Sequence, residues 1–406
     1  MWLDRELAWT VTLLLGVSGL ACTTLAQLLA HRKLALRAQR THRAPLPPIT
    51  VLKPLKGLDE GLYENLASIA RQDYPAFEIV FGVDDPADPA IDVAIQVRRD
   101  FPHVPIRIVV QRGRGALNPK IANLLNMVDH ARHDCVLISD SNVWVDPDYL
   151  SATAAELEQP GVGLVSNVIV GRGEASFGAL LENLQLCSFV IAGVCFGDAL
   201  GHPIVVGKSM LLRRSQLERL GGLATMADVM AEDYVLGRRY HEAGLRVVLS
   251  AHAVYTHNRA WDLSRFVARH VRWAQLRRWG GLPTFIAELL MYPVPWLLIA
   301  LSVALSAGSH PDEALARDAH ASAQLALLCI ACKALSDFVL VWHVRRQRPP
   351  SLALLLVALR DCLLIALWSV ALVRRTIVWR GNRRRIGPGT SLLPLPAELA
   401  TREARA

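Results

Sequence analysis

"CVLISDSN", residues 135–142, is an apolar run that ends on an acid, a hydroxyl and an amide. A short apolar run that turns polar this abruptly reads as a buried strand reaching the edge of its sheet. The pattern recurs upstream in PITVLKPL (48–55), FEIVFGV (77–83) and IRIVVQ (106–111). Between these runs lie GLYENLASIARQ, a stretch around 90–100 and another at 119–131, the last opened by the glycine-rich turn RGRGALNPK. Strands alternating with helices of about a dozen residues predict a mostly parallel sheet in an α/β domain over residues 45–282. Such sheets bind ligands at the carboxyl ends of their strands. Two strands end on acids here: one on Asp84-Asp85, with Asp88 just beyond, and one on Asp140.

A carboxylate at a strand tip is also a common helix cap. Two acid clusters at one sheet edge ask for more, because carboxylates gathered in a crevice repel unless something positive sits among them. A divalent cation carrying phosphates meets that need, and Mg2+ and Mn2+ prefer oxygen ligands. The spacing Asp140-Ser141-Asn142 lets both polar side chains turn toward one cation or its bound diphosphate. The loop from Gly113 to Lys120 adds backbone N–H groups and one ammonium suited to phosphate. The alternative for Lys120 is a solvated helix residue. Two other phosphate readings fail on spacing. No G-x-G-x-x-G follows the first strand, and Gly201 to Ser209 holds five residues between its glycines, one of them Pro203.

Downstream, MADVMAEDYVLGRRYHEAG starts a helix near Glu232-Asp233, where the helix dipole favours a negative charge. Beside a sugar donor, Asp233 would accept a proton from an attacking hydroxyl; otherwise it caps the helix. RVVLSAHAVYTH reads as another strand, and isolated histidines such as His252 and His257 are more often surface or satisfied core groups than ligands. DLSRFVARHVRWAQLRRW is amphipathic and strongly basic, suited to a membrane surface or to aiming Arg272 at a diphosphate.

Of the 406 residues, 52 % are hydrophobic, too many for one ordinary soluble domain. The excess lies at 8–30, 285–306, 322–343 and 351–373. Residues 8–30 carry no charge and are long enough to cross a bilayer. A cleaved signal peptide is the rival, but acids rather than bases precede the run. The basic HRKLALRAQRTHR that follows predicts an N-terminal anchor over 1–44, with residues from 31 onward in the cytoplasm. Residues 283–380 are expected to form membrane or interfacial helices, with Pro293 and Pro295 interrupting the first, and 381–406 a tail. Lys333 and Asp337, four apart, are expected to pair. The net charge of +8 sits beside the apolar stretches and suits anionic lipid better than nucleic acid, for which no readout motif is found. Cys329 and Cys332 form a C-x-x-C inside an apolar stretch with no second pair, which argues against zinc or redox chemistry. The apolar stretch 176–200 either lines the entry of a lipid or is a buried core helix.

The order of these residues resembles the inverting glycosyltransferases of GT-A fold, with the pattern D, D, D, (Q/R)xxRW: Asp84-Asp85, Asp140, Asp233 and Arg269-His270-Val271-Arg272-Trp273. The segments PLKGLDEGLYENLASIARQDYP, DDPADPAID, NPKIANL, DSNVWVDPDYL, GGLATMADVMAEDY and HVRW are similar to the ceramide glucosyltransferase family, over about residues 48–280. The resemblance implies transfer of glucose from UDP-glucose to the primary hydroxyl of ceramide, with inversion, by a multi-pass membrane enzyme whose catalytic domain faces the cytoplasm. It implies that Asp84, Asp85 and Asp88 contact the uridine side of the donor. Asp140, with Asn142, would hold a divalent cation and the diphosphate, and Asp233 would be the base. Arg269, Arg272 and Trp273 would hold donor phosphates and acceptor. That family often has a further acid or glycine where this chain has Asn142. Other acceptors, a hopanoid or diacylglycerol with UDP-GlcNAc or UDP-galactose, keep the enzyme class. A lipid flippase would need polar residues spread through the apolar spans, and they are few.

Overall fold

The structure is a computed structural model that describes residues 2–35, 46–112, 115–379 and 382–394. The basic residues 36–43, Gly113 and Arg114 of the glycine-rich turn, and the tail beyond 394 lie outside the described residues. In chain order the elements are α1 (Trp2–Ala35), β1 (Ile49–Leu55), α2 (Leu62–Ala70), β2 (Phe77–Val83), α3 (Ala90–Asp100), β3 (Ile106–Val110), α4 (Pro119–Val128) and β4 (Cys135–Ser139). Then come α5 (Tyr149–Leu157), β5 (Val162–Arg172), α6 (Phe177–Gln185), α7 (Ile191–Ala199), β6 (Ser209–Arg213), α8 (Arg214–Arg219), α9 (Glu232–Glu242) and β7 (Arg246–His257). The rest is α10 (Leu263–Gly280), α11 (Leu282–Ala287), α12 (Pro293–Ala307), α13 (Glu313–Arg345), α14 (Leu352–Val373), β8 (Thr376–Trp379), β9 (Asn382–Ile386) and β10 (Leu392–Leu393).

These elements fall into two compact units. The sheet unit comprises Lys33–Glu174, Gly197–Arg259 and the chain from Thr376 on; the helical unit comprises the chain to Arg32, Ala175–Phe196 and Ala260–Arg375. Residues expected as the end of a membrane region and a tail instead pair as the antiparallel sheet β10-β9-β8 within the sheet unit.

The main sheet has the order β3-β2-β1-β4-β6-β5-β7. Strands β3, β2, β1 and β4 run parallel, β6 is antiparallel to both its neighbours, and β5 pairs with β7 in parallel. Every residue of β1 and β4 is buried, as their unbroken apolar runs require for strands covered on both faces. Register aligns Leu55 with Val83, Val83 with Val110, and Ser139 with Ser209. The carboxyl ends of the first strands and the amino end of β6 therefore share one edge, and that edge carries Asp84, Asp85, Asp140 and Lys208. Leu52, Val80, Ile121, Leu124, Met127, Val136 and Ile138 are part of the core behind it.

In the helical unit, Glu6–Ala35, Phe177–Ala199, Glu313–Arg345 and Leu352–Val373 are each long and apolar enough to cross a membrane. Phe177–Ala199 was expected as a lipid entry or a core helix; it contains a π-helical turn at Leu186–Val190. The apolar stretch at 285–306 is not one straight span, because the chain bends by 55° between Leu282–Met291 and Pro293–Ala307. The break falls where a proline ring forbids the helical hydrogen bond. The expected Lys333–Asp337 pair is present at 2.6 Å and belongs to a larger buried cluster. Arg360 bonds Asp337 at 2.8 Å, Asp361 at 2.6 Å and the Ser188 hydroxyl at 2.6 Å. Gln27 donates to Asp337 as well. Two cations face two carboxylates, which is how charges persist among apolar helices.

Candidate active site

The sheet unit assembles its acids around lysines. Lys120 lies in the first turn of α4, which is opened by Pro119 and capped by the Asn118 side chain accepting from the Lys120 and Ile121 N–H groups. The segment is stitched to the approach of α9: Asn118 donates from its backbone to Ala227 O at 2.8 Å and from its side chain to Val229 O at 2.7 Å, and the Leu117 N–H meets the Asp228 carboxylate at 3.0 Å. The amino ends of α4 and α9 are thereby brought together. The Lys120 ammonium then reaches Asp140 Oδ1 at 2.9 Å, Glu232 Oε1 at 2.9 Å and Gly207 O at 2.8 Å. Its three protons have three acceptors. The sequence left Lys120 between a phosphate ligand and a solvated helix residue; here it is neither solvated nor turned outward, and Asp140 and Glu232 hold its pKa above the usual value although burial acts the other way.

Asp233 follows Glu232 in the first turn of α9. Its carboxylate accepts the Gly207 N–H at 2.8 Å and its neighbour Tyr234's N–H at 2.8 Å. Burial pushes its pKa up to about 6, Glu232 adds to the rise, and Lys120 and the two N–H groups oppose it. A carboxyl poised there is well matched to taking a proton near neutral pH.

Asp140 and Asn142 stand on the turn after β4. Lys208 Nζ donates to Asn142 Oδ1 at 2.5 Å, and Ser141 Oγ donates to Asp59 at 2.5 Å. Asp84 and Asp85 are exposed at the end of β2, Asp85 accepting the Ala87 N–H. Asp88 is committed differently: both its oxygens lie 2.9 Å from the Gly57 N–H, and one also accepts the Ala90 N–H. It ties the turn after β1, where Gly57 takes a φ of +66°, to the start of α3.

In the helical unit, the Arg269–Trp273 motif lies on α10. Arg269 forms an ion pair with the fully buried Glu182 at 3.0 Å, and its guanidinium stacks over Trp261 and Trp273. Arg269, expected to hold donor phosphates, has this carboxylate partner within its own unit. His270 Nε2 donates to the same Glu182 carboxylate at 3.0 Å, and Trp273 packs edge-on against His270. Arg272 is half-buried on the same helix.

Residues 11–392 match glycosyl transferase family 21. The chain belongs to that family. Ceramide glucosyltransferase 1 of Caenorhabditis elegans is 27 % identical to this family 21 chain over 233 residues, covering 57 % of it and 50 % of the relative. Ceramide glucosyltransferase 3 of the same organism is 25 % identical over 273 residues, covering 66 % and 60 %. The chain thus spans 50 % to 60 % of the length of these relatives. Among solved structures, the mannosyltransferase PcManGT from Pyrobaculum calidifontis, in complex with GDP-Man and Mn2+, aligns with a TM-score of 0.55 at 20 % identity, over 89 % of this chain and 99 % of that one. That likeness shows the GT-A fold expected from the sequence.

Two features of the family 21 site went unread in the sequence. Lys53 is fully buried in β1, where its ammonium holds Asp140 O at 2.8 Å, Ser139 Oγ at 3.2 Å and Val143 O at 3.4 Å. Burial lowers its pKa to about 7. The signal was there, since a lysine inside ITVLKPL must find partners or not be buried. The second is a group formed by Asp146, Asp148 and His252, whose ligand atoms lie within 4.8 Å of one another. His252 Nε2 is 3.0 Å from Asp148 Oδ1, and the Tyr255 hydroxyl donates to Asp146 at 3.2 Å. Both this group and the Asp140–Asn142 pair are donor sets that suit a divalent cation.

Proposed function

We propose that the chain is a membrane-bound glycosyltransferase that moves glucose from UDP-glucose to the primary hydroxyl of ceramide with inversion, giving glucosylceramide. Family membership and the ceramide glucosyltransferase relatives support the substrates. The observation that carries the chemistry is Asp233, a carboxylate raised to about 6 beside the Asp140–Lys120–Glu232 network. Asp233 takes the proton of the lipid hydroxyl as that oxygen attacks the anomeric carbon, and the carbon–oxygen bond to UDP breaks on the opposite face. The two N–H groups on Asp233 fix its orientation before the reaction, and positioning of this kind lowers the barrier without further chemistry. Asp140 and Asn142 are proposed to hold a divalent cation, which when bound would neutralise the diphosphate. Lys120 faces the phosphates, and Asp84 and Asp85 the uridine side. Asp88 acts through the Gly57 turn. The apolar helices anchor the protein in the membrane as a multi-pass chain, and the basic residues after α1 favour a cytoplasmic catalytic unit.

Purified full-length protein incubated with UDP-glucose, UDP-galactose or UDP-GlcNAc, and with ceramide, diacylglycerol or hopanoid, tests this reading. Glucosylceramide as the main product, lost on adding EDTA, is expected. Transfer to another lipid alone would move the acceptor assignment, and no transfer with any pair would remove the activity.

A further inference from the structure

Each side chain expected to receive a divalent cation already has an oxygen held by a lysine. Asp140 Oδ1 is 2.9 Å from Lys120 Nζ, and Asn142 Oδ1 is 2.5 Å from Lys208 Nζ. Neither lysine is a loose surface group. The Lys120 side chain is 11 % exposed with all three protons directed at acceptors, and Lys208 is buried. From beneath, Lys53 fixes the backbone of the same turn.

We propose that Lys120 is an internal counter-ion that a divalent cation must displace from Asp140, so that the site takes the cation well only together with a diphosphate. The diphosphate supplies the acceptors that Lys120 needs once Asp140 turns to the cation. Partners are exchanged, and no buried charge is left alone at any stage. Free cation, offering Lys120 nothing in return, binds weakly. This rests on the reading of the site as one for a nucleoside diphosphate sugar, and it adds an order: the cation arrives with the nucleotide or after it.

The test is Mn2+ binding to the full chain in detergent, followed by electron paramagnetic resonance with Mn2+ alone. Wild type is expected to bind Mn2+ alone weakly, and Lys120→Met at least about tenfold more tightly, a difference of about 1.4 kcal/mol. Lys120→Arg keeps the charge and is expected to stay weak. Because Lys120→Met leaves Glu232 without its cation, the double variant Lys120→Met/Glu232→Gln, which removes both charges, serves if the single variant does not fold. Tight binding of Mn2+ alone by wild type, or no gain in the folded variant, would overturn the proposal. A failure of the transferase reading shows separately, as a wild type that binds neither UDP nor UDP-glucose at saturating Mn2+ while the difference between variants for Mn2+ alone persists.

Discussion

The Gly207 N–H donates to Asp233 Oδ2 at 2.8 Å, and a Cβ placed on Gly207 would stand 2.7 Å from that same oxygen. Only glycine lets the backbone come this close. Gly207→Ala is expected to push the carboxylate out of line and lower kcat by ~10–100-fold, the range that a misplacement of about 1 Å produces. UDP affinity should stay within about threefold, since the Gly207 carbonyl that holds Lys120 is kept in the variant. Steady-state kinetics with isothermal titration of UDP separates the two; an equal loss in both would point to general disruption.

The pH profile follows from the raised pKa of Asp233. A base must be unprotonated to accept a proton, so the rate should level off above about pH 7, fall through about 6 and approach tenfold per pH unit below about 5. The limb belongs to Asp233 if Glu232→Gln, which removes the neighbouring negative charge, moves it to lower pH. A limb near 4 in the wild type would mean that the carboxyl titrates as an ordinary acid.

Cation removal tells the two donor sets apart. Asp140→Ala is expected to weaken UDP binding in the presence of Mn2+ and to leave little further effect of EDTA. His252→Ala and Asp146→Asn should leave that dependence intact, because His252 already bonds Asp148 and Tyr255 bonds Asp146. Loss of Mn2+ dependence in His252→Ala, with Asp140→Ala unaffected, would transfer the cation to the Asp146–Asp148–His252 group.

The charge cluster among the apolar helices is expected to matter for stability. Asp337→Ala leaves Lys333 and Arg360 with one carboxylate fewer, and breaking a buried pair in this way costs roughly 3–5 kcal/mol. Thermal unfolding in detergent measures it. A change below about 1 kcal/mol would mean that water already reaches the cluster.

What the sequence told well was whatever depended on local pattern. Strands β1 to β4 were visible because each is an apolar run with polar ends, and Asp84, Asp140 and Asp233 because each sits at the end of a strand or the start of a helix. Strands β5 and β6 were not read, since Ser166, Asn167 and Ser209 break their apolar runs; those groups bond one another and nearby backbone inside the sheet. Nor could local pattern announce β8–β10. Thr390 accepts the Met230 N–H and meets the Ala231 N–H just before α9, a pairing across ~160 residues. The role of Lys120 was half legible: its ammonium was read as a phosphate ligand or a solvated helix group and a divalent cation was placed among the acids, but the pairing of Lys120 with Asp140 and Glu232 depended on two helix starts meeting in space.

The most direct test is single-turnover transfer from radiolabelled UDP-glucose to ceramide by wild type and Asp233→Asn, with UDP affinity measured on both. Asp233 as base predicts that the variant binds UDP within about threefold of wild type and transfers glucose at least about 100-fold more slowly. Transfer at the wild-type rate by Asp233→Asn would contradict it.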